Sequence, residues 1–139
     1  MGRDGTIRTV NHALPGEGLA APAANYALAI VSDAPSRLLH TSGIVPITPD
    51  GTVPASMADQ ADVVWSSILL LLTEADMTPA DIVSITTYVV ADHADELPVV
   101  MAARDRYLGG HRAASTLVTV PRLVRPEWLM EVAVVAAAG

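Results

Sequence analysis

The sequence predicts an α+β domain in the order β-β-β-α-β-α-β-β, with two helices layered on one face of a sheet. Three observations point there. Hydrophobic periodicity switches from two to about 3.6 residues and back, twice, along the chain. Proline and glycine punctuate the switches, from Pro15-Gly16 through Pro49-Asp50-Gly51 to Gly109-Gly110. A length of 139 residues, 51% of them hydrophobic, suits one core rather than two. The chain 1–139 therefore reads as a single domain, in which 1–25 is an extended N-terminal segment of weaker pattern.

Each element has a local reason. "TIRTV" (6–10) is a candidate first strand. "YALAIVSD" (26–33) and "RLLHTSG" (37–43) read as strands around the Asp33–Ser36 turn, and are expected to pair as a hairpin. From Ser56 the pattern turns helical, with Met57, Ala61, Val64, Ile68, Leu71 and Leu72 on one side. Ser56 reads as the N-cap, with Asp59 three residues on, and the helix runs to about Ala75. "DIVSITTYVVAD" (81–92) returns to β-branched residues with neither face strongly polar, so burial on both sides is expected. A second helix from about Leu97 to Leu108 stops at Gly109-Gly110. "STLVTVPRL" and "WLMEVAVVA" complete the sheet.

Composition excludes several function classes. Eight basic residues, all arginine, against fifteen acidic ones give a net charge of −7, without the basic stripe that nucleic-acid binding needs. The absence of cysteine removes thiolate catalysis, disulfides and cysteine-held metals. His40, His93 and His111 show no metal-like spacing. The densest apolar patch, Ile68 to Leu72, is bounded by Ser67 and Thr73, far short of the roughly 18 to 20 residues of a membrane span. "MGRDGTIRTV" lacks the apolar stretch of a secretory signal, so a cytoplasmic protein is expected. Aromatic residues make up only 4%, and such a modest core favours oligomerisation.

The element order, together with "HTSGIVP", "GTVPASMADQA", "TPADIVSITTYVVADHADE", "RDRYLG" and "STLVTVPRL…MEVAVVA", resembles the Rid (YjgF, endoribonuclease L-PSP-like) family from about Tyr26 to Ala137. The resemblance implies a chorismate-mutase-like fold, assembled as a homotrimeric barrel with small-molecule clefts between subunits. It implies hydrolysis of reactive enamines or imines, such as 2-aminoacrylate, to a keto acid and ammonia, with no metal or organic cofactor. Neither nucleic acid nor membrane is implied as a partner.

Residue by residue, the resemblance assigns a candidate site. Ser115 stands where the family's strand carries the arginine that clamps the substrate carboxylate, and Leu117 follows on the same face. A serine hydroxyl cannot neutralise a buried carboxylate, so a neutral cleft wall and poor 2-aminoacrylate hydrolysis are expected. Arg112 and Arg104 are candidate substitutes; solvated or interface roles are the competing reading for both. Arg122 reads as structural. Glu131 interrupts an apolar strand, where a carboxylate needs a partner or a raised pKa, and it matches the family glutamate that positions the hydrolytic water. Tyr26, Ser42 and Gly43 match residues lining the ligand, with ordinary packing or turn bonding as the alternative. Tyr107 reads as core. A non-catalytic ligand-binding or regulatory module of the same fold is the rival function. Ribonuclease activity is a third reading, and the negative charge counts against it.

Overall fold

The computed structural model describes residues 10–139, so the candidate strand 6–10 lies, except for Val10, outside the described residues. Strands β1 (Val10–Ala13) and β2 (Ile30–Asp33) pair antiparallel, from Val10 opposite Asp33 to Ala13 opposite Ile30. Asn11 Nδ2 donates to the Ala137 carbonyl at 2.9 Å and fastens this ladder to the end of the main sheet.

The main sheet is mixed, in the order β3-β6-β4-β5. It comprises β3 (Arg37–His40), β4 (Ile82–Val90), β5 (Ala114–Val120) and β6 (Met130–Ala138). The expected β2–β3 hairpin does not form. β3 pairs instead with β6, from Arg37 opposite Ala138 to His40 opposite Val135. The reason lies in the connection. Tight hairpin turns favour positive φ at their central residues, which Pro35 cannot adopt. Ala34, at φ 51°, takes the left-handed conformation alone, and the chain leaves β2 for the free edge of β6.

Helix α1 (Met57–Glu74) starts as the sequence predicts, with the Ser56 hydroxyl accepting the Asp59 amide at 3.1 Å. It buries Met57, Ala61, Val64, Trp65, Ile68 and Leu72. Trp65 joins the face that the apolar stripe marks, and Leu71 sits at its half-buried margin. Helix α2 (Leu97–Leu108) ends on Gly109 at φ 58°, the left-handed stop, and buries Val100, Ala103, Arg104 and Leu108. It forms the crossover between the parallel strands β4 and β5.

Both helices contribute to one core with Ile82, Ile85 and Val89 of β4 and Met130, Val132, Val134 and Ala136 of β6. The opposite face of β4 is only half-buried, at Thr86, Tyr88 and Val90, against the expectation of burial on both sides. No described helix covers that face. Gln60, like the polar residues Thr87 and Arg104, is buried beside the core. Its Nε2 donates to the Pro54 and Glu127 carbonyls, and its Oε1 accepts the Leu129 amide, all at 2.8 Å. This ties α1 to the segment that enters β6.

Candidate functional sites on opposite faces of the sheet

Strand register decides which candidates meet. Ser115 pairs with Ile85 and Leu117 with Thr87, and both β4 partners are buried beneath the helices. Paired residues share a face, so Ser115 and Leu117 lie on the helix side. There they line a hollow of about 370 Å³ with Tyr26, Met101 and Arg104. The N-terminal segment closes one end, where the Ala27 amide donates to the Ala113 carbonyl at 3.0 Å. Tyr26 Oη accepts the Ala23 amide at 3.2 Å, which leaves its own proton to donate. The Ser115 hydroxyl has no hydrogen-bond partner among the described residues.

Glu131 faces the other way. It pairs with Tyr88, and its neighbours Met130 and Val132 are buried under the helices. Its hollow, about 540 Å³, is lined by Tyr88, Arg122, Leu123 and Val124. Gly43 lies directly against it: a Cβ at position 43 would stand 1.9 Å from Glu131 Oε2. Ser42 is exposed beside it. The carboxylate is half-buried and has no hydrogen bond or ion pair among the described residues. The partner expected for it is missing because this face of the sheet is open. Arg122, read from sequence as structural, is exposed and lines the Glu131 hollow.

The two arginine candidates separate. Arg112 is exposed, and its Nε donates to Asn25 Oδ1 at 2.6 Å, so it holds the N-terminal segment and lines neither hollow. Arg104 is 5% exposed, which removes the solvated reading. Its Nε donates to Asp105 Oδ1 at 3.0 Å, and its buried Nη2 has no partner. The wall beside Ser115 is therefore not neutral: β5 lacks a guanidinium, and α2 supplies one. Helical spacing carries the signal for this, since Leu97, Val100, Met101, Arg104 and Leu108 recur at three and four residues. Tyr88 had no such signal, because the β4–β6 register that sets it beside Glu131 is not written in either strand alone.

The histidines have local roles. His111 Nε2 bonds the Ile82 carbonyl at 2.7 Å, and His93 Nδ1 bonds Glu96 Oε2 at 2.8 Å. Tyr107 packs on the core, stacked on Trp65 at 6.3 Å, with its hydroxyl donating to Asp62. Among the described residues no group of histidine and acidic side chains is placed to hold a metal ion. No described helix is long and apolar enough to cross a membrane.

A mixed α+β sheet with two helices on one face, and candidate ligand residues at the edge of β5 and on β6, is the architecture of the chorismate-mutase-like class. The sequence profile of the endoribonuclease L-PSP family matches residues 18–138, and the chain belongs to this family, the Rid or YjgF proteins. It resembles YyfB, a Rid protein of unknown function from Yersinia pestis, with a TM-score of 0.80 and 26% identity over 91% of this chain and 98% of that one. TdcF from E. coli, solved with bound serine, superposes with a TM-score of 0.68 at 21% identity, covering 88% and 92% of the two chains. A YjgF-family protein from Neisseria meningitidis gives 0.64 at 24% identity, covering 81% and 86%. No curated protein sequence matches.

Proposed function

We propose that the protein is a homotrimer that binds a small imine, enamine or carbonyl compound between subunits. It hydrolyses or tautomerises that compound with Glu131 as the water-orienting base. The observation that supports this most is the separation of the two half-sites. Tyr26, Arg104, Ser115 and Leu117 line a hollow on the helix side of the sheet, while Gly43 and Glu131 occupy the other side. A second copy, docked so that its open face meets the β5 edge of the first, completes a site that one chain leaves in halves. Exposed Val118 and Val124, the latter 86% exposed, suit an assembly surface better than a solvated one.

The chemistry follows from a carboxylate with no partner of its own. It takes a proton from water as the oxygen adds to the electrophilic C=N carbon. The carboxylic acid returns that proton to nitrogen, which gives a carbinolamine. The carboxylate then takes the hydroxyl proton of the carbinolamine and delivers it to nitrogen as the C–N bond breaks, so that ammonia leaves and the carbonyl forms. Binding in a dry interface would strengthen this step, since charges interact more strongly away from bulk water. RNA is not the substrate of this reading, because a chain of net charge −7 offers a phosphate backbone no basic stripe.

The test is ammonia release from a panel of imines and enamines generated in situ, with Glu131→Gln as control. Turnover by the natural protein, lost in the variant with ligand binding retained, is the expected result. If no compound in the panel is turned over although one binds, a non-catalytic binding module of the same fold takes the place of this reading.

A further inference from the structure

We propose that Tyr88 is a water-positioning residue, whose hydroxyl oxygen holds the second hydrogen of the water that Glu131 activates. The proposal rests on the hydrolytic reading above and adds a second oxygen to that site. The starting observation is a register. Tyr88 is the cross-strand partner of Glu131 in the antiparallel β4–β6 ladder, and both residues are half-buried on the open face. Directly paired residues have Cβ atoms roughly 4.5 to 5.5 Å apart, so the phenol ring stands alongside the carboxylate. Sheet order fixes the other side. β6 lies between β3 and β4, and Gly43, the neighbour of the Ile44 that bridges to Val132, packs against Glu131 from the β3 side. The carboxylate is thereby flanked by bare backbone on one side and by a hydroxyl-bearing ring on the other.

The two side chains do not bond each other. Neither the Tyr88 hydroxyl nor the Glu131 carboxylate has a hydrogen-bond partner among the described residues. A tyrosine side chain is longer than a glutamate's, so the hydroxyl stands further out from the sheet and leaves a space between the two oxygens. The hollow that both line measures about 540 Å³, ample for a water beside a small ligand. Polar groups set too far apart to bond directly are commonly bridged by a water. Holding both hydrogens matters for the chemistry. A water that gives one hydrogen to the carboxylate alone still turns about that bond. With its second hydrogen on the Tyr88 oxygen, its lone pair is aimed at the C=N carbon. The first hydrogen passes to Glu131 as the C–O bond forms, and the second stays on oxygen as the carbinolamine hydroxyl, so the tyrosine neither gains nor loses a proton. The other side chains of the hollow cannot take this part. Arg122 carries donors only, and Leu123 and Val124 have no polar side-chain atom. A phenylalanine would pack on the strand equally well, so packing accounts for the ring of Tyr88 and not for its hydroxyl.

The experiment compares the full-length natural protein with Tyr88→Phe and Tyr88→Leu in steady-state ammonia release, on the imine or enamine that the natural protein hydrolyses fastest. Tyr88→Phe is expected to lower kcat roughly 10- to 100-fold, the effect of losing one hydrogen bond made in the transition state, with KM within about twofold. Its thermal melt and assembly mass should match those of the natural protein, because the hydroxyl has no protein partner to lose. Tyr88→Leu, which lacks both ring and hydroxyl, should lose at least as much activity. An unchanged kcat in Tyr88→Phe overturns the proposal whatever Tyr88→Leu does, since the ring alone then suffices. A fall in kcat that comes with a lower melt or a lost assembly overturns it too and makes the hydroxyl structural. A raised KM with kcat kept also overturns it, because the hydroxyl would then hold ligand rather than water. If the natural protein turns over nothing, the hydrolytic reading fails and this role with it, whereas turnover indifferent to Tyr88→Phe fails this role alone.

Discussion

Gly43 and Glu131 are the most tightly coupled pair of candidate residues. A methyl at position 43 would sit 1.9 Å from the carboxylate oxygen, and the carboxylate end of a half-buried side chain can move where backbone could not. Gly43→Ala is therefore expected to fold with a stability change within about 1 kcal/mol while swinging Glu131 out of position. Turnover should fall as it does in Glu131→Gln, read by ammonia release alongside a thermal melt. Gln60 works the other way. Its three hydrogen bonds satisfy two carbonyls and an amide in part-buried surroundings, so Gln60→Leu should cost roughly 1 to 3 kcal/mol in a urea melt. Of these residues, Glu131 was legible because a carboxylate in an apolar strand is conspicuous. Gln60 was not, since a polar residue among Asp59 and Asp62 looks like part of a solvated helix face.

At the scale of elements, caps and turns are local chemistry and read well from sequence. Ser56→Ala removes the hydroxyl that accepts the Asp59 amide, and about 1 kcal/mol of stability should go with it, measured by chemical denaturation. The 48–52 turn is a second local device. Hydrogen bonds from the Thr48 and Thr52 hydroxyls and the Thr52 amide hold the Asp50 carboxyl below its ordinary value of 3.8. The folded state therefore favours the charged form. The turn's contribution is fully present above the ordinary value and disappears as pH falls through the lowered one. Amide exchange of Gly51 and Thr52 followed down the acid range should show protection lost there, and Asp50→Asn should flatten that dependence. Pairing between strands is a different matter. The β2–β3 hairpin looked local, yet Pro35 and the free edge of β6 decide against it, and the edge exists only once β6 has joined β4. Whether Ser115 and Glu131 share a face depends on two registers, β4–β5 and β4–β6, that no single strand encodes.

At the scale of the whole molecule, the sheet has one face sealed by α1 and α2 and one left open. Closing three such sheets on one another would bury the open faces and remove exposed edges, which suits a chain with only 4% aromatic residues. Light scattering is expected to give three times the chain mass of 14.5 kDa at micromolar concentration. The central claim is that each site is shared by two copies, and mixing two disabled variants tests it most directly. Ser115→Trp plugs the α2–β5 hollow and Glu131→Gln removes the base, so each homotrimer alone should be inactive toward an imine that the natural protein hydrolyses. Unfolded together in equal amounts and reassembled, they form sites in which one chain brings an intact hollow and its neighbour an intact Glu131. Random mixing makes about one site in four complete, so recovery of about a quarter of the natural ammonia release is the expected result. No recovery in mixed trimers would mean that hollow and base act within one chain, and would contradict the account.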